Sequence, residues 1–109
     1  MNRLSQVSDG NGFLADGLNF SAYMDARVLA ATTAKVHTIP AGARSVRFTG
    51  TIPFWINFGG AAVIPAADVT DGTASILILT DRLYAIPATA TTIGIIASAI
   101  CTVTMEFYK

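Results

Sequence analysis

Residues 52–72 read IPFWINFGGAAVIPAADVTDG, and this stretch decides the fold class. Phe54, Ile56 and Phe58 fall on one side of a period-two run and Trp55 and Asn57 on the other, the alternation of a β-strand. Gly59 and Gly60 then allow a backbone turn that bulkier residues resist. A short apolar stretch and a polar turn with Asp68, Asp71 and Gly72 follow. The pattern is that of a sheet.

Outward from this segment, strand signals recur about every eight to twelve residues from Arg27 onward, the spacing of an antiparallel sandwich or barrel. The candidate strands are 27–29, 35–39, 44–49, 54–58, 75–80, 91–97 and 101–108, with a turn at Pro40, Ala41 and Gly42. In the last strand Cys101, Val103, Met105 and Phe107 share one face, while Thr102, Thr104, Glu106 and Tyr108 share the other. In 75–80, Ile76 and Ile78 oppose Leu77 and Leu79. Both faces there are apolar, so this strand is buried on both sides or meets another subunit on one. The nearest approach to a helical stripe, Leu14, Leu18, Ala22 and Met24, is too loose to favour a helix. The expectation is an all-β protein: an antiparallel β-sandwich or jelly-roll-like domain of about seven to eight strands over 26–109. An extended N-terminal arm over 1–25, rich in Asn, Asp and Gly turn signals, precedes it.

A chain of 109 residues is the size of one domain and buries about two-thirds of its unfolded surface. The one cysteine, Cys101, has no thiol partner, which excludes an internal disulfide and cysteine-based metal sites; it reads as a small core residue. Seven basic and seven acidic side chains, with no basic run, point away from nucleic acid and anionic membranes. Only 13% of residues are charged, about half the usual share, and 52% are hydrophobic. Part of the surface is therefore expected to be apolar and to want a partner. Residues 83–105 form a 23-residue stretch with one charge-free apolar composition after Arg82. Its threonines, Pro87, Gly94 and period-two alternation make it two strands rather than a membrane span. No secretory signal is visible in the polar start, so synthesis in the cytoplasm is the expectation.

Chemistry is sparse. His37, the only histidine, lies in a strand pattern without a sequence-local carboxylate or thiol partner, so a structural or surface histidine is expected rather than a catalytic one. The acids are scattered, and the Asp-rich segments at 9–12 and 68–72 complete no calcium pattern; Asx turns explain them. The glycines form no phosphate cradle. Trp55, Tyr23, Tyr84 and Tyr108 would make a sugar-stacking platform only if they converged on one surface. No catalytic, cofactor-binding or metal residue is assigned, and no enzyme activity is expected.

The succession KVHTIPAGARSVRFTGTIPFWINFGGAAVIPAADVTDGTASILI and the TTIGIIASAICTVTMEFYK end resemble small virion structural proteins of tailed bacteriophages. The marks are the turn at 39–43, the aromatic strand at 54–58, the turn at 65–72 and the EFYK end at 106–109. The resemblance covers about 35–109 and implies a β-sandwich without enzymatic activity that assembles in many copies in the virion. A capsid decoration or cement protein is the leading expectation, with its own copies (dimer or trimer) and the major capsid protein or other virion proteins as partners. A tail, baseplate or fibre component with a receptor- or glycan-binding role is the alternative. The expected interface comprises Phe54, Trp55, Phe58, Ile76, Leu77, Ile78, Leu79 and Tyr108, with the arm reaching over the shell.

Overall fold

The computed structural model describes residues 1–8 and 14–109, and the side chains of all of these except 6–8 and 14–18. The turn signals and the calcium-loop echo at 9–12 therefore lie outside the described residues. Among the described residues ten strands occur in chain order: β1 (Gln6–Ser8), β2 (Leu14–Leu18), β3 (Tyr23–Leu29), β4 (Lys35–Thr38), β5 (Ser45–Gly50), β6 (Phe54–Phe58), β7 (Ile76–Ile78), β8 (Arg82–Ala85), β9 (Thr92–Ile96) and β10 (Cys101–Tyr108). No helix is present among the described residues.

β1 and β2 pair antiparallel in a separate two-stranded sheet, and the other eight strands make two four-stranded antiparallel sheets, ordered β3-β10-β5-β8 and β4-β9-β6-β7. The pairs β6–β7, β5–β8, β4–β9 and β3–β10 nest around the β6–β7 link. A long antiparallel ribbon folded over in this way and wound into two layers is the jelly-roll arrangement. The expected strands at 35–39, 44–49, 54–58, 75–80, 91–97 and 101–108 correspond to β4, β5, β6, β7, β9 and β10. The expected strand at 27–29 is the end of β3, which starts at Tyr23. The arm and sandwich divide expected after residue 25 thus falls within one continuous strand. The 83–105 stretch holds the end of β8, then β9 and the start of β10.

The core lies between the sheets. Leu29, Val46, Phe48, Cys101, Val103, Met105 and Phe107 from the first sheet meet Phe54, Ile56, Ile78, Ile93, Ile95 and Ala97 from the second. β10 shows the expected alternation, with Cys101, Val103, Met105 and Phe107 fully buried. Cys101 is a free core thiol. Phe48 packs edge-on against Phe54, Phe58 and Tyr84 at centroid distances of 6.3, 6.2 and 6.3 Å. Such aromatic contacts add about 0.5–1.5 kcal/mol each beyond area burial.

Burial on both faces, one of the two expectations for 75–80, belongs instead to β9. Its Ile93 and Ile95 face the core, and Gly94 is covered from outside by the β6–β7 connection. A Cβ on Gly94 would collide with the backbone of Gly60, Ala61 and Ala62, so only glycine admits this close crossing. The Ser75 hydroxyl accepts the Val63 amide at 2.9 Å and ties the two ends of the connection together. β7, by contrast, is an edge strand.

At the opposite long edge β3 and β4 are joined by polar contacts. His37 Nε2 lies 2.8 Å from Asp25 Oδ2, and Lys35 Nζ donates to the Val28 carbonyl at 2.7 Å. Asp25 and His37 come from different sheets, so the carboxylate partner that is missing near His37 in sequence is supplied by the fold. The imidazole also stacks on Phe107, with centroids 6.0 Å apart and planes at 16°. Two predictions follow the packing. Asp25→Ala leaves the largely buried imidazole without its partner and should lower unfolding free energy by about 1–3 kcal/mol in urea titration. Gly94→Val should cost about 3 kcal/mol through overpacking and make the 60–62 crossing sensitive to limited proteolysis.

Candidate interaction surface

Residues 1–5 and 19–22 are pinned to one end of the sandwich. Asn19 Nδ2 donates to the Arg3 carbonyl at 2.6 Å, and its Oδ1 accepts the Ser5 amide at 2.7 Å. Asn2 spans the Phe20 carbonyl at 2.7 Å and the Ala22 amide at 3.1 Å, while its own carbonyl accepts the Lys109 amide at 2.9 Å. The Ser21 hydroxyl donates to the Phe107 carbonyl at 2.8 Å. These contacts cover Tyr108, whose hydroxyl donates to the Asn19 carbonyl at 2.7 Å. Asparagine can donate and accept at once, which is why two of them suffice to clasp a segment without regular structure.

Tyr108 is therefore buried, and so are Phe54 and Ile78, which face each other across β6 and β7 on the core side. These three expected interface residues belong to the interior. Phe58 is partly buried against Phe48 and Tyr84. The remaining four are at the surface: Leu79 is 68% exposed, Ile76 52% and Leu77 38%, with Trp55 partly covered beside them. Trp55 stands opposite Leu77 on one side and Ile96 on the other. Trp55, Leu77 and Ile96 thus form an apolar row across the outer face of the second sheet.

This surface continues over the β7 edge. Between β7 and β8, the last strands of the two sheets, a groove of about 270 Å³ is lined mainly by Ile56, Phe58, Ile76, Tyr84 and Pro87. From residue 48 to residue 80 the only charged side chains are Asp68 and Asp71. Asp71 holds a turn: its Oδ1 accepts the Thr73 hydroxyl at 2.5 Å and the Thr73 amide at 3.1 Å, which lowers its pKa. That is the Asx turn expected at 68–72. An unpaired edge strand with apolar side chains and no charge is a template for pairing with another chain.

The outer face of the first sheet is different in kind. There Arg47 joins Asp81 and Glu106, the latter at 3.1 Å, and its pKa is raised, first by the Glu106 hydrogen bond. The four large aromatics considered for sugar stacking do not converge. Tyr84 lies in the Phe48 and Phe58 cluster, Tyr108 is buried, Tyr23 packs edge-on to Phe107 at the far edge, and Trp55 alone lies on the second sheet's outer face. His37 has no hydroxyl or thiol on Nδ1, which is buried without a hydrogen-bond partner, so the Asp25–His37 pair acts as a strut between sheets. Among the described residues, no three His, Cys, Asp or Glu side chains gather as metal ligands.

Burial, and secondarily the Glu106 charge, raises the Tyr108 pKa above its usual 10.0. The neutral phenol is thus favoured by folding, and this contribution is complete below pH 10 and is lost as pH rises through the folded value. Tyr108→Phe should cost about 1 kcal/mol at neutral pH by removing the Asn19 contact and should flatten the alkaline decline in thermal midpoint. Against known proteins, no family model, curated protein or solved structure matches this chain.

Proposed function

We propose that this chain is a structural protein of a tailed-bacteriophage virion, acting as a capsid decoration or cement protein that associates with its own copies and with the shell. The observation that carries the reading is the uncharged apolar tract formed by Trp55, Ile76, Leu77 and Leu79 at an open sheet edge. A closed, two-layer β body with one adhesive edge suits a protein whose work is binding to repeated neighbours. The choice of a phage particle rests on the sequence resemblance of residues 35–109 alone. Net charge of zero places no long-range repulsion between copies. Fold alone supports many functions, so the surface and not the jelly roll carries the argument.

Light-scattering mass on the purified chain should give a dimer or trimer. Leu77→Lys with Leu79→Lys should return it to monomer, with a thermal midpoint lowered by no more than the loss of self-association explains, because both side chains are already exposed. The oligomer should co-sediment with capsid shells lacking it and raise their melting temperature. A monomer that ignores shells would overturn the proposal and favour a tail or fibre role.

A further inference from the structure

Arg3, Arg44 and Lys109 come from three separate parts of the chain and line one open cavity of about 610 Å³, together with Leu4 and Gly42. The backbone enforces this meeting. Lys109 is bound to Asn2, the Arg44 amide donates to the Tyr108 carbonyl at 2.8 Å, and the Arg3 carbonyl is held by Asn19. Gly42, at φ 84° in the turn before β5, has no heavy atom within 4 Å of where a Cβ would stand, so this wall of the cavity is bare backbone.

Among the described residues none of the three cations pairs with a carboxylate; the ion pairs of the fold are Asp25–His37, Arg47–Asp81 and Arg47–Glu106. Three neighbouring like charges repel, and nothing in the packing of the sandwich calls for them at this rim. An anionic partner gives the cluster a purpose. The amides of Arg44 and Lys109 are already committed to carbonyls, which leaves no paired N–H cradle of the kind that grips a single phosphate. The free donors are long, exposed side chains, and each exposed ion pair contributes only about 0–1 kcal/mol. Measurable affinity therefore requires several linked negative charges presented together.

We propose that this cavity is a docking site for an acidic polypeptide segment, with side-chain carboxylates reaching Arg3, Arg44 and Lys109. The site lies at the clasped end of the sandwich and uses none of the apolar tract on β7, so it stands whether or not the chain decorates a shell.

The test is a fluorescence-anisotropy titration of the full chain with a labelled hexaglutamate peptide at low ionic strength. Binding should weaken markedly when salt is raised to about 0.15 M, where screening sets in within about 8 Å. Arg44→Glu should reduce affinity about tenfold or more, equivalent to about 1.4 kcal/mol. Arg82→Glu makes the same change in net charge about 13 Å away along β8, counting about 3.3 Å per residue from Ile86, whose amide donates to the Arg44 carbonyl, and should reduce affinity clearly less than Arg44→Glu. Thermal melts of both variants confirm folding. Absent binding, an equal loss in the two variants, or displacement of the peptide by an equimolar amount of inorganic phosphate would each overturn the proposal.

Discussion

The inward row of β10 is the constraint on which the rest of the sandwich depends. Cys101, Val103, Met105 and Phe107 are completely buried, and β10 is paired on both sides, to β3 and to β5. One strand thus takes part in two of the three pairings in its sheet, and its inward row joins Ile93 and Ile95 of the other sheet in one core. A register slip by one residue would turn this row outward and present Thr102, Thr104 and Glu106 to the core. The cost of burying those polar groups fixes the pairing, and the pairing fixes where every other strand lies.

The two long edges of the sandwich are then closed in opposite ways. At β3 and β4 the sheets are joined by the Asp25–His37 pair and by Lys35 reaching the Val28 carbonyl. At β7 and β8 an apolar groove lined by Ile76 remains, and Leu77 and Leu79 lie exposed beside it. Polar struts spend their hydrogen bonds inside the chain and leave little for a partner. An uncharged edge keeps its backbone groups and apolar area available to a neighbour.

Much of this was legible in the chain because period-two alternation survives wherever one face is wet: β10 and β6 read directly from their residues. β8 was hidden because Arg82 and Tyr84 alternate with Leu83 and Ala85, a four-residue strand whose inward positions include a charge and whose apolar residues merge with the run after it. The apolar 75–80 segment could be read as a strand, but not as an edge, since neighbours across a sheet are set by topology. The burial of β9 on both faces depends on the 60–62 crossing over Gly94, a contact between segments more than thirty residues apart. The charge cluster of Arg3, Arg44 and Lys109 gave no local signal at all, because its members are scattered singly along the chain.

The nested pairing also bears on how the chain folds. β6 and β7 are the partners closest in sequence among the eight sandwich strands, and β3 and β10 the most distant. Loop-closure entropy makes the inner rungs cheapest to form, and each rung shortens the loop that the next must close. During synthesis β3 leaves the ribosome before every other sandwich strand, yet its only partner, β10, leaves after all of them. Its apolar Leu29 and its unpaired backbone must therefore wait for the whole domain to emerge, and the sheet is completed on the timescale of a high-contact-order fold.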